Sequence, residues 1–171
     1  MNTEFLQTQI SDYFAGERRE MIIILIMVPV VMVLAGYLLS VARDRFALGF
    51  AAVVFLIGIT VTMTTVSLLM RDKKASQELT TAAGSHQTVR AAFEPEVLRM
   101  VKVVESYPYY RYGAMILVIL GFVAVFIFKN SLVNGIAAGL LLVASAQFII
   151  DHHSESRATV YKVAIEQYLM L

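Results

Sequence analysis

Long runs without a single charge alternate with polar, amphipathic stretches along this chain, and the alternation predicts four helices that cross a membrane. Residues 21–42, 46–70, 112–128 and 130–150 contain no Asp, Glu, Lys, Arg or His. At about 1.5 Å of rise per residue, each is about long enough for a hydrocarbon core about 30 Å thick. The flanking segments have helical spacing of their own. Thr3 is placed to cap a helix whose apolar side is Leu6, Ile10, Tyr13 and Phe14, running on through Glu17 into the first span. Residues 72–90 continue the second span as a polar helix that frays near Gly84. Pro95 suits the first turn of an interfacial helix carrying Val97, Val101 and Val104, and Pro108 is expected to break it. Tyr107, Tyr109, Tyr110 and Tyr112 then form an aromatic collar at the membrane surface. After the fourth span, Val160, Tyr161, Ala164, Tyr168 and Leu171 share one face.

The fold expected is therefore all-α: a single membrane domain, residues 1–171, built as a four-helix bundle with amphipathic extensions. Segments 1–20, 71–111 and 151–171 would lie together on one side. Composition agrees, with 58% apolar and 16% charged residues and a mean hydropathy of +0.72. The two halves also resemble each other at an offset of 86 residues. Gly49-Phe50-Ala51-Ala52 matches Gly135-Ile136-Ala137-Ala138, and Arg71 falls on Arg157. Each half reads as amphipathic helix, span, tight turn, span and polar extension, which makes a parallel tandem repeat one reading and shared packing rules the other.

Charge sets the expected orientation. Of the fourteen Lys and Arg, eleven fall in the three segments on the terminal side, and only Arg43, Arg45 and Lys129 lie at the two tight turns. The positive-inside bias then places both termini and the middle segment in the cytoplasm. Residues 1–20 lack the basic start, apolar core and cleavage site of a secretory signal. The chain has no cysteine, which removes disulfides, thiolate metal sites and cysteine acylation from consideration. A net charge of +1 gives no reason to expect a nucleic-acid partner.

Candidate chemistry is sparse. Ion-coupled transporters, proton pumps and voltage sensors use ionisable groups at membrane depth, and the four stretches carry none. A haem between spans would need axial ligands there, and no His is at that depth. No catalytic residue and no cofactor is expected. Thr60, Thr64 and Ser67 form a polar stripe on the second span, with Ser145 and Gln147 in the matching part of the fourth. Such a stripe serves either a polar partner group or hydrogen bonding between helices. Gly135-x-x-x-Gly139 permits close helix approach, within the chain or between chains, and Pro29 is expected to kink the first span.

The densest polar cluster runs from Asp151 through His152, His153 and Glu155 to Arg157. His152 and Glu155 have a spacing at which both reach one metal, but a di-metal carboxylate bundle needs such pairs on two helices, so no metal site is expected. A charge network is the leading reading: Asp151 or Glu155 with Arg71 or Arg111, and Glu17 with Arg157 or Arg111. Arg71, Lys73 and Lys74 are also placed to hold anionic lipid headgroups. His86, in a polar segment, reads as solvated.

Tyr13-Phe14-Ala15-Gly16-Glu17 before the first span, Tyr109-Tyr110-Arg111-Tyr112 opening the third, and 151–157 with Tyr161 after the fourth resemble small four-span bacterial inner-membrane proteins. They also resemble immunity proteins that protect cells from membrane-depolarising toxins of interbacterial secretion systems. That resemblance implies a non-enzymatic binder, with membrane lipid and another membrane-inserted protein as partners. Thr60, Thr64, Gly135, Gly139 and Gln147 would form the docking face. A small transporter or channel subunit is the alternative, and association with a second copy stays open.

Overall fold

In the computed structural model, four helices nearly equal in length account for the chain: α1 (Thr3–Ala42), α2 (Arg45–Gly84), α3 (Val89–Ile127) and α4 (Ser131–Leu169). The structure describes residues 3–84 and 89–169, without the side chains of residues 3, 4, 84, 89, 90 and 92. The expected cap by Thr3 and the expected places of His86 and Leu171 lie outside what is described. At 39 or 40 residues, each helix is about 60 Å long, roughly twice a hydrocarbon core. Every span thus continues as the same helix into the polar half of the bundle.

That continuity corrects two expectations. Pro108 does not break α3, and Pro95 lies seven residues into the helix and not in its first turn. A proline inside a helix costs about 3 kcal/mol through its missing N–H and a clash with the preceding turn. Here Pro108 faces outward, while Met100, Tyr107 and Ala114 on either side are buried and hold the helix to its neighbours. Pro29 likewise lies inside an unbroken α1.

Burial recurs every seventh residue. Ala51, Gly58, Thr65, Asp72 and Leu79 are buried on α2, and Ala137, Ala144, Asp151, Ala158 and Ile165 on α4. On α3 the series is Phe93, Met100, Tyr107, Ala114 and Gly121, and on α1 it includes Phe14, Met21 and Ala35. A seven-residue repeat is the spacing of left-handed helix bundles. Of the face expected on α4, Tyr161 and Ala164 are buried and Tyr168 packs against the core, but Val160 points out, and Ser154, Ala158 and Ile165 point in.

The four series fall in register at the offset of 86 residues. The caps do as well. Asp44 Oδ1 accepts from the Ala47 amide at 2.7 Å, and Asn130 Oδ1 accepts from the Leu132 amide at 3.0 Å. α2 and α4 run parallel and touch at the centre, whereas α1 and α3 flank them and make no backbone approach to each other. The central contact is reciprocal. A Cβ on Gly49 would strike the Leu132 carbonyl, and a Cβ on Gly135 would strike the Phe46 carbonyl. Leu132 stands to Phe46 as Gly135 stands to Gly49, so the two hairpins meet as if across a twofold axis.

The two halves of the bundle pack by opposite logic. In the apolar half small residues face in and large ones face out: Val33, Leu56 and Phe126 are 70%, 72% and 82% exposed. Lipid gives helices no hydrophobic reason to associate, so close backbone packing must hold them. In the polar half Leu6, Ile10, Phe93, Met100, Tyr161 and Ile165 are fully buried, each contributing about 1.5–3 kcal/mol as in a water-soluble core.

Gly135→Leu is expected to destabilise the bundle by about 3 kcal/mol or more, because the obstruction is backbone and cannot rotate away. Gly113→Ala meets nothing within 4 Å and should be neutral or stabilising by up to about 1 kcal/mol. Thermal unfolding in detergent distinguishes the two.

Candidate functional site

Charged side chains converge where the apolar half gives way to the polar half. Arg157 of α4 reaches across to α1, where Nη2 donates to Glu17 Oε1 at 3.1 Å and also to Glu20 Oε2. Ser154 Oγ donates to the other oxygen of Glu20 at 2.6 Å. Gly16 makes this crossing possible: a Cβ there would lie 2.8 Å from Arg157 Cδ and 2.9 Å from Nε. Arg111 of α3 pairs with Glu155 of α4. On α2, Arg71 donates through Nε and Nη2 to Asp72 Oδ1 at 2.9 and 2.7 Å. Asp151 Oδ1 accepts from Gln147 Nε2 at 2.6 Å.

The sequence-derived alternatives resolve accordingly. Glu17 meets Arg157, Glu155 meets Arg111, and Arg71 turns to its neighbour Asp72 instead of to α4. His152 is exposed, and Glu155 is engaged by Arg111, so the two do not converge on one point. Among the described residues no group of three or more His, Cys, Asp or Glu is arranged to hold a metal.

Beneath this layer lies a second, aromatic one. The rings of Tyr13 and Tyr161 stack at 4.2 Å, 6° from parallel, with Phe14 edge-on to both. Arg99 Nε and Nη2 donate to the two oxygens of Glu96, both at 2.7 Å, with Glu96 only 7% exposed. Burial pushes the Tyr13 hydroxyl up to about 12, with Glu17 adding to it and Arg99 opposing it. Tyr161 and Tyr107 are pushed higher still, again first by burial. Burial alone would lower Arg99, but Glu96 and the two tyrosines on either side of it outweigh that and hold it raised and charged. A shallow cleft of about 210 Å³ opens on this layer between α1 and α4, lined by Asp12, Tyr13, Ser156, Arg157 and Tyr161 among others.

Four contributors to the site were missed in the sequence: Glu20, Ser154, Asp72 and the Glu96–Arg99 pair. The last carries a visible signal, opposite charges three residues apart on a helix. Glu20, Ser154 and Asp72 become legible only once the seven-residue register is known. Of the expected collar, Tyr109, Tyr110 and Tyr112 are exposed at the boundary, while Tyr107 turns inward and is buried.

Of the expected docking residues, Gly135 and Gly139 lie inside the chain, and Thr60, Thr64 and Gln147 lie on its exposed surface. Gly135 and Gly139 are used up inside the chain, against Phe46, Phe50 and Val53 of α2. Thr60 and Thr64 are exposed, and their hydroxyls donate to their own helix at Leu56 and Thr60 carbonyls, at 2.9 and 2.8 Å. Gln147 is exposed except for its bond to Asp151. The concave surface of the apolar half lies elsewhere, in a groove of about 460 Å³ between α1 and α2 lined by Pro29, Met32, Val33, Gly36, Phe55, Ile59 and Thr62.

The fold and its collar define an α-helical multi-pass membrane protein with a helical extension beyond its spans. No known protein family matches the chain, and neither the curated proteins nor the solved structures contain a match to it.

The Glu17 carboxyl is raised, by burial first and then by the like charges of Glu20 and Asp72, against the pull of Arg157. Its stabilising contribution is complete below the ordinary carboxylate range and is lost as pH rises through the raised value. Arg157→Ala should cost about 2–4 kcal/mol at neutral pH, since it strands two carboxylates. It should also steepen the fall in stability between acid and neutral pH. Unfolding followed across that range checks both.

Proposed function

We propose that this chain is a non-enzymatic binding protein of the bacterial inner membrane, with its polar half in the cytoplasm. Its partner is another membrane-inserted protein, and an immunity role against a membrane-depolarising toxin is the specific form of the reading. One observation carries it: the apolar half is closed at its centre and concave at its side. Gly49, Gly135 and Gly139 close the seam between α2 and α4 against the facing helix, leaving the α1–α2 groove to receive a helix from outside. A transporter or channel subunit, the competing reading, would need a polar path through that seam. The polar stripe of Thr60, Thr64 and Ser67 faces outward instead, each hydroxyl bonded to its own helix.

Gly36 offers the cleanest test, because a side chain there meets only Phe55 Cζ at 3.6 Å, an ordinary contact. Gly36→Leu should leave folding intact and fill the groove. Cells expressing the chain and challenged with membrane-depolarising toxins of interbacterial secretion systems should keep their membrane potential against one of them, read with a voltage-sensitive dye. Gly36→Leu should lose that protection by tenfold or more, about 1.4 kcal/mol or more of binding. Protection unaffected by filling the groove, or solute flux through the purified chain in liposomes, would overturn the reading.

Orientation follows from the distribution of Lys and Arg. Since the chain has no cysteine, single substitutions report it directly. A membrane-impermeant maleimide should label Ser131→Cys in intact cells and leave Ser156→Cys unlabelled until the cells are opened.

A further inference from the structure

Asp151 is buried on α4 at the level where the spans end, and it is only 6% exposed. Its Oδ1 accepts from Gln147, while its Oδ2 is buried without any hydrogen-bond partner. An ionised carboxylate in that position would keep one oxygen bare in a low-dielectric setting, a cost of several kcal/mol.

The neighbours do not supply the missing charge. From α3, Arg111 and Tyr107 face Asp151, but Arg111 is paired with Glu155. From α1 it faces Glu20, with Glu17 one turn away, and both are served by the single Arg157. On its own helix Glu155 repels it, and His152 and His153 turn outward. On α2 the buried polar positions in the matching heptads are Thr65 and Asp72, and Arg71 is committed to Asp72. Five carboxylates therefore surround the junction with three guanidiniums, each already engaged.

We propose that Asp151 is a proton-binding site: in the closed bundle its carboxyl is the neutral acid, and the ligand it takes is one proton. A proton fits what the site lacks. It removes one of the two surplus charges and needs no space, whereas a metal ion needs several converging ligands and the described residues offer no such group. The direction of titration agrees: burial raises the carboxyl, Glu20 and Glu155 push it the same way, and Gln147 and Arg111 pull against them. The stability owed to this proton is complete below the ordinary carboxylate range and is lost as pH climbs through the raised value. Ionisation puts a bare charge into the bundle at the membrane edge, so proton release favours opening of the collar there.

The test uses the full chain in lipid nanodiscs. Aspartate-selective carbon-13 labelling makes only four carboxyls visible, Asp12, Asp44, Asp72 and Asp151, and infrared spectra are followed from about pH 4 to about pH 8. A protonated-carboxyl band should persist above the pH at which an ordinary aspartate ionises and be absent from Asp151→Asn. Thermal midpoints of the two proteins should coincide at acid pH. They should diverge as pH rises, with the wild type falling further than Asp151→Asn, which keeps only the loss owed to Glu17. All four aspartates ionising in the ordinary range would overturn the proposal from the wild-type spectra alone, whether or not the variant folds. A wild-type midpoint raised by sodium at fixed pH, without the protonated band, would overturn it in favour of a metal cation.

Discussion

Backbone contact between α2 and α4 at Gly49 and Gly135 governs how everything else in this molecule is placed. With lipid outside, large apolar side chains gain nothing by turning inward, and the helices associate only where backbones approach closely. Two glycines set reciprocally against carbonyl oxygens provide that approach. Once the two parallel helices are fixed there, α1 and α3 can only lie on opposite flanks. In the polar half the buried positions change from Ala and Gly to Leu79 and Ile165, which join one core cluster with residues of α1 and α3.

Continuity of register is what joins two solvents in one bundle. The series on α2 passes from Ala51 and Gly58 through Thr65 and Asp72 to Leu79 without a change of face. The polar members fall at the junction, where neither lipid packing nor a watery core is complete. There the ion pairs are made between flanking and central helices, α1 with α4 through Arg157 and α3 with α4 through Arg111. α4 thus holds both flanks, while α2 keeps its own charge, Arg71 with Asp72, to itself.

Much of this was legible in the residues, and the remainder was hidden for definite reasons. The four spans follow from the lack of charge and from length alone. The inward face of α1, Leu6, Ile10, Tyr13 and Phe14, follows from helical spacing and is buried as a unit. The unbroken α3 does not follow, because Pro108 is a local signal of interruption and the packing that overrides it is tertiary. The fate of Gly135 and Gly139 does not follow either: a small-residue face looks the same whether its partner belongs to the same chain or to another. Choosing among carboxylate and guanidinium partners needed the heptad phase, which places Arg111 beside Glu155 and leaves Arg71 beside Asp72.

Arg157 in the space left by Gly16 joins α4 to α1, three helices earlier in the chain. Until α4 emerges, Glu17 and Glu20 have no guanidinium from it and Tyr13 has no ring to stack upon. A nascent or truncated chain therefore carries an open, acidic α1 base at the membrane surface. Docking of α4 on α1 is thus what closes the collar, and the two ends of the described fold are tied by a single guanidinium.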